Sequence, residues 1–462
     1  MFNVKRALVF AALLLCAAAL ALTLAAAAEV RQAERALAQA RYDQAASAYL
    51  RAAKIFFWRD DLREAAALAA LQNGDLSTAV YYLQRSHPSQ RGTLALAYAY
   101  LQLGDLPAAQ KTFEEGAARF PSADFYEGLA LAYRSQNNWQ AERGALERQI
   151  QLDASQARAH YRLGVLRSVL EADSALTELT RAAELDPQFD SAAQTLTAAL
   201  NLSAAQPDSA KQKISIGRAL GLVEEWRLAA FAFQQARDLD PQNAEAWAWL
   251  GEAHQHIGEP ALADLNRALE LGRASSIVRA LRGLYWQRQG DSTRALAEYL
   301  LAAEYDPLNP QWQAALGGVY AQRGDLISAL NSYQRAIALA PEESAYWRNL
   351  ALFSAEYHIE IETLGLPAAQ KAVNLAPADP QALDALGYLY YLANRYANAE
   401  AVLTQALKMA PQYLSAQIHL ALNEMAQGKP SDAYARLVRV RDADADGADG
   451  ALAARLLETY FP

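Results

Sequence analysis

The chain has 462 residues, 53% of them hydrophobic and 20% charged, with a formal net charge of −9. That composition describes a well-packed protein and not a disordered one, and its acidic balance argues against a nucleic-acid reader, which needs a basic surface. A single cysteine, Cys16, excludes a disulfide framework and a thiolate zinc site.

The first predicted element is an apolar segment. Lys5 and Arg6 precede an uncharged run from Ala7 to Ala28, roughly 22 residues, which is long enough to cross a bilayer as a helix. Small residues from Ala25 to Ala28 would also suit signal-peptidase cleavage before Glu29. Residues 1–28 therefore read as a signal anchor or as a signal peptide, and the length of the run favours the anchor. Lys5 and Arg6 favour an inside N-terminus, although Arg31, Arg35 and Arg41 beyond the run blunt that bias. The expected location is a membrane-anchored protein with an extracytoplasmic remainder, or a secreted or periplasmic one if the segment is removed. Cys16 follows Leu15, not the small residue that lipidation would need.

From Glu29 onward, helix-forming stretches end at prolines with a near-constant interval. The ladder is Pro88, Pro121, Pro187, Pro241, Pro307, Pro341, Pro377 and Pro411, with a regular step of about 34 residues. The step from Pro121 to Pro187 holds two repeats, with Ala154 in the proline position, and that from Pro241 to Pro307 divides near Arg273. Such a period predicts helix pairs stacked into a solenoid.

An early unit carries Leu96, Tyr100, Gly104-Asp105, Ala109, Phe113 and Pro121. Pro187 to Pro241 exceeds one repeat by about 20 residues. Residues 188–205 read as an extra helix, closed by Gln206-Pro207-Asp208, before a regular pair resumes through Ala210, Ala229, Phe233 and Ala236. This irregularity predicts a hinge, dividing the repeats into blocks 29–187 and 210–442 with 188–209 as extra helix and linker. Gly283, Trp286, Gly290-Asp291, Ala295, Tyr299 and Ala302 restore the pattern.

The unit from Pro310 to Pro341 shows the physics most cleanly. Trp312, Leu316, Gly317 and Tyr320 make one face of a first helix apolar. Gly324 can end that helix in the left-handed conformation, and Asp325 can cap the next. Ala329, Tyr333 and Ala336 mark the buried face of the second helix, and Pro341 stops it. Gly317, Ala329 and Ala336 allow close approach while Leu316, Tyr320 and Tyr333 fill the space between. The pair before Pro377 carries a short insertion and the pair after Pro241 is shortened, both near turns. Leu386-Gly387, Tyr390, Ala399, Leu403, Ala406 and Pro411 then repeat the pattern.

At the end of the chain, Asp442, Asp444 and Asp446 precede Gly447 and a predicted capping helix, Gly450 to Tyr460. Carboxylates at alternate positions match the first half of a calcium loop, but the closing position holds Ala453 instead of a glutamate. Residues 443–462 therefore read as an acidic linker and cap, with Asp449 capping the final helix, or as an incomplete calcium site. His254 and His256 lie about 200° apart on a helix and cannot share a metal from one face. With no His-Glu-x-x-His, glycine-rich phosphate loop or Gly-x-Ser-x-Gly turn, no catalytic residue is assigned.

In its Leu-Gly, tyrosine, alanine, aromatic, alanine and proline pattern the chain resembles the tetratricopeptide repeat family over roughly residues 29–442. The resemblance implies an all-α, right-handed superhelical solenoid of about twelve antiparallel helix pairs with a C-terminal capping helix. It also implies that partners lie in a concave groove lined by the first helix of each pair. Carried onto this sequence, the groove positions include Tyr98, Glu127, Arg134, Arg158 and Tyr161 early, and Glu252, His256 and Arg288 in the middle. Late positions are Arg348, Asp384, Tyr388, Tyr391, Ile418, Leu422 and Met425, which form the expected partner-binding set. Arg348-Asn349 alone does not complete the family's clamp for chaperone carboxyl-termini.

The expectation is a non-enzymatic, membrane-tethered or exported scaffold for protein–protein assembly, with a protein or peptide in the groove and no cofactor unless the aspartate loop binds calcium. An alternative is an accessory subunit of an envelope polysaccharide or peptidoglycan enzyme, with groove aromatics touching glycan.

Overall fold

The helical periodicity resolves into helices from end to end. A computed structural model describes residues 4–461, with no strand among the described residues. The first five pairs are α1 (Val4–Ala38) with α2 (Tyr42–Ile55), α3 (Asp60–Gln72) with α4 (Leu76–Leu83), α5 (Gln90–Gln102) with α6 (Leu106–Arg119), α7 (Ala123–Ser135) with α8 (Trp139–Leu152), and α9 (Ala157–Leu170) with α10 (Ala172–Leu185). A lone helix, α11 (Asp190–Ala204), follows, and then α12 (Ser209–Leu222) with α13 (Trp226–Leu239).

Six more pairs run α14 (Ala244–His256) with α15 (Leu262–Leu271), α16 (Ser276–Arg288) with α17 (Ser292–Tyr305), α18 (Pro310–Gln322) with α19 (Leu326–Leu339), α20 (Ser344–Glu356) with α21 (Leu366–Leu375), α22 (Pro380–Leu392) with α23 (Tyr396–Met409), and α24 (Leu414–Ala426) with α25 (Pro430–Ala443). Helix α26 (Ala448–Tyr460) covers the last pair. The protein is thus an all-α solenoid of twelve pairs, with one extra helix and one cap among the described residues.

The turn chemistry explains the regularity. Gly324 has φ +77°, and the Asp325 carboxylate accepts a hydrogen bond from the Ser328 amide at 3.1 Å. Such a cap stabilises a helix by about 1 kcal/mol. Asp75, Asp105 and Asp291 cap α4, α6 and α17 in the same way. Within the pair, a Cβ on Gly317 would lie 2.8 Å from the Tyr333 ring, so the bare backbone is what lets the tyrosine lie flat between the helices. The insertion before Pro377 is absorbed as a π-helical turn, Ile361–Gly365, and the shortened pair as a ten-residue α15.

The chain divides into two compact units, one ending at Leu239 and the other beginning at Asp240. The extra helix expected within 188–209 is α11, which lies inside the first unit and packs on both α10 and α12. Helices α12 and α13 also reach back to α9. Buried charge braces this junction: Arg162 donates to Glu142 on α8 at 3.0 Å and to Glu225, just before α13, at 2.8 Å. Tyr161 stacks on Phe189 with centroids 4.8 Å apart, and Lys213 Nζ donates to the Val169 carbonyl at 2.6 Å. The extra residues are a packed wedge.

At the N-terminus, α1 runs unbroken through the 28/29 boundary expected between anchor and repeats. Its far end is the first helix of the first pair, with Ala26, Ala33 and Ala36 buried. At the other end, Asp444 accepts from the amides of Asp449 and Gly450 at 3.1 Å each. Asp444, and not Asp449, therefore caps α26. Asp442 pairs with Arg441 at 2.7 Å and Asp446 is exposed. The three carboxylates do not converge, and no group of three or more acidic, histidine or cysteine side chains is placed to hold a metal among the described residues.

Candidate protein-binding surface

Within the second unit the first helices of successive pairs lie side by side, α20 against α22 and α22 against α24. They form one wall, and the expected site residues sit on it in register, one repeat apart. Their surroundings differ sharply.

Arg348 on α20 donates to Asp379 at 2.7 Å, while the other oxygen of Asp379 caps α22 through the Gln381 amide at 2.9 Å. Its charge is committed to joining neighbouring pairs. Asp384 on α22 is only 3% exposed. It accepts from His419 Nδ1 at 2.7 Å and from the Ser415 hydroxyl at 3.1 Å, both on α24. Asp384 is therefore an internal organiser and not an open contact. Ile418 is 1% exposed, packed with Ala433, Leu437, Val440 and Leu457, and Leu422 and Met425 lean on the same cluster. Ile418 is core beneath α25 and α26, with Leu422 and Met425 only partly buried at its edge. Ile418 is therefore not an open groove contact.

Tyr388 and Tyr391 are different. The Tyr388 ring lies flat on the His419 imidazole, with centroids 4.0 Å apart and planes 9° apart. Tyr391 lies nearly parallel to Tyr388 at 6.1 Å, and Tyr396 approaches it at 6.2 Å. Both rings are half-buried. Burial, with Glu356 and Asp384 nearby, raises the Tyr388 phenol above its ordinary range; burial, with Tyr460 next, raises Tyr391. Both stay protonated at neutral pH and can donate hydrogen bonds. Tyr413 is pushed up to about 12 by burial first and the Asp384 charge second.

The organising residue that sequence reading missed is His419, 35 residues beyond Asp384. It stands one position past the groove register, beside Ile418. Only the pairing of a buried aspartate with a histidine one repeat on could have signalled it.

Polar positions expected in the other grooves satisfy one another. Arg288 grips Glu252 with two 2.8 Å hydrogen bonds, and His256 joins them. Arg134 reaches Glu225 at 3.2 Å, and Tyr98 meets Phe113 edge-on at 5.1 Å. Glu127, Arg134, Arg158 and Arg162 line a cleft of only about 120 Å³. Stacked, half-buried tyrosines mark the α22–α24 wall.

Comparison with known proteins agrees with this architecture. Tetratricopeptide repeat patterns match residues 94–157, 215–276, 281–344 and 390–458, together more than half of the chain. Human superkiller complex protein 3 is 26% identical over 264 residues, covering 54% of this chain and 16% of that protein. Bovine BBSome complex member BBS4 is 21% identical over 356 residues, covering 68% of this chain and 63% of that protein. The chain thus spans a small part of the first and under two thirds of the second. Among solved structures, yeast Tom70 aligns with a TM-score of 0.43 at 16% identity, covering 94% of this chain and 95% of that one.

Proposed function

The chain belongs to the tetratricopeptide repeat family, and on that premise we propose that it is a non-enzymatic scaffold, tethered to a membrane by α1, that holds a protein segment against the α22–α24 wall. The observation that carries the reading is the Tyr388–His419 stack, fixed from beneath by Asp384. A rigid aromatic shelf with phenol donors suits an extended or helical peptide, because tyrosines contribute large contact area at low entropic cost. Arg348 and Asp384 support the shelf instead of touching the partner. Two relatives carry names that place them in complexes, the superkiller complex and the BBSome, which fits an assembly role. Tethering is supported by Val9–Ala38, a stretch of α1 long and apolar enough to cross a bilayer.

The test is co-purification of full-length protein from its native membrane. Replacing Tyr388 and Tyr391 together by Ala should remove a protein partner retained by the wild type, with helical circular dichroism unchanged. Undiminished recovery would move the site elsewhere, and binding to purified glycan without any protein partner would replace the reading.

A further inference from the structure

The loop joining the first two repeats places Phe57 and Trp58 in solvent, 67% and 64% exposed. Here two large aromatic side chains stand open side by side. Nor is the loop slack: Arg63 donates to the Phe57 carbonyl at 2.6 Å and pairs with Asp60 at 2.7 Å. Trp58 packs edge-on against Phe57, with centroids 5.0 Å apart.

The position of this loop follows from the packing of α2 on α1. Arg51 on α2 pairs with Glu29 on α1 at 2.9 Å, which sets these residues level with each other. The helices are antiparallel, so by Ile55, the last residue of α2, the chain has moved about 6 Å toward the N-terminus of α1. The loop that carries Phe57 and Trp58 therefore leaves α2 about level with Ala25. Fully buried Ala26 marks how far the end of α2 covers α1. Leu22 and Leu24 are exposed and form the last turn of the apolar run before Ala25 to Ala28 and Glu29. Lys54, exposed, lies one turn before Phe57. A tryptophan, a phenylalanine and a lysine at the end of an apolar span are the residues that settle at a bilayer–water boundary.

We infer that the Phe57–Trp58 loop inserts into the lipid headgroup boundary beside α1, so that the first repeat rests directly on the membrane instead of hanging from a free stalk. The inference rests on the tethering reading, and the two can fail separately. Full-length protein is reconstituted into phosphatidylethanolamine–phosphatidylglycerol vesicles and labelled with an environment-sensitive fluorophore at one cysteine at a time. The sites are native Cys16 within the span, Phe57→Cys with Cys16→Ala, and Asn73→Cys with Cys16→Ala. Asn73 is exposed at the far end of α3, about 20 Å from the loop by helix rise. Phe57 is exposed and stands outside the apolar cluster of the first repeat, so its replacement removes the edge-on partner of Trp58 but no core side chain.

The expected result is quenching of the Cys16 label by lipids brominated on the acyl chains. The position-57 label should be quenched about twofold by lipids brominated near the headgroup, with the position-73 label unaffected. If Cys16 is quenched but position 57 is as open to aqueous iodide as position 73, the inference is overturned and the tether stands. If iodide reaches Cys16 itself, both fall.

Discussion

Removing the Asp384 carboxylate tests whether the aromatic shelf is organised from beneath. Asp384→Ala deletes the acceptor for His419 and for Ser415. Hydrogen bonds to a charged group contribute about 1.5–3 kcal/mol each; the 3.1 Å bond to Ser415 belongs at the low end. A loss of about 3 kcal/mol is expected, and at 1.4 kcal/mol per decade the local opening equilibrium rises about 100-fold. Native-state hydrogen exchange reads this directly, as faster exchange of the α22 and α24 amides. Amides of α14 and α16 should not change, since repeat contacts are local. Asp384→Asn keeps the volume and one acceptor oxygen and should accelerate exchange only about tenfold. Acceleration below about threefold in Asp384→Ala would refute the reasoning, because the pair would then contribute no net stability.

Arg162→Ala strands Glu142, which is 1% exposed, and should destabilise the first unit by about 3–5 kcal/mol. Arg162→Met combined with Glu142→Leu should recover most of that in the same thermal melts. Tyr98, Tyr333 and Tyr413 are each raised by burial to about 12 from an ordinary 10.0. A raised folded-state value means stability is fully present below pH 10 and is lost as pH climbs from 10 to 12, which melting followed with tyrosinate absorbance will show. Asp444→Ala should weaken the α26 cap by about 1 kcal/mol, seen as faster proteolysis at the C-terminus, and added calcium should protect neither form.

How much of this was legible in the sequence depended on how local each interaction is. Gly324-Asp325 and Pro341 act within a few residues, so the pairs and their number could be read from them. That Tyr388 and Tyr391 lie side by side could be read because three-residue spacing on one helix is also local. Ile418, Leu422 and Met425 share that spacing, but which face α25 and α26 cover is a tertiary fact. Surplus length says nothing of where α11 packs, and Arg162 meets Glu225 across 63 residues. Asp444 replaced Asp449 as the cap because the chain turns back on itself at Gly447, where a Cβ would collide with Asp444.

The central claim is that a protein partner binds the shelf formed by Tyr388, Tyr391 and His419. Once the co-purifying partner segment is in hand, its calorimetric titration into full-length wild type and into Tyr388→Ala/Tyr391→Ala decides the matter. Two central aromatic anchors predict a loss of at least about 30-fold in affinity, or 2 kcal/mol, with Leu300→Ala on the exposed face of α17 unchanged. Equal affinities for wild type and the double variant would contradict the account.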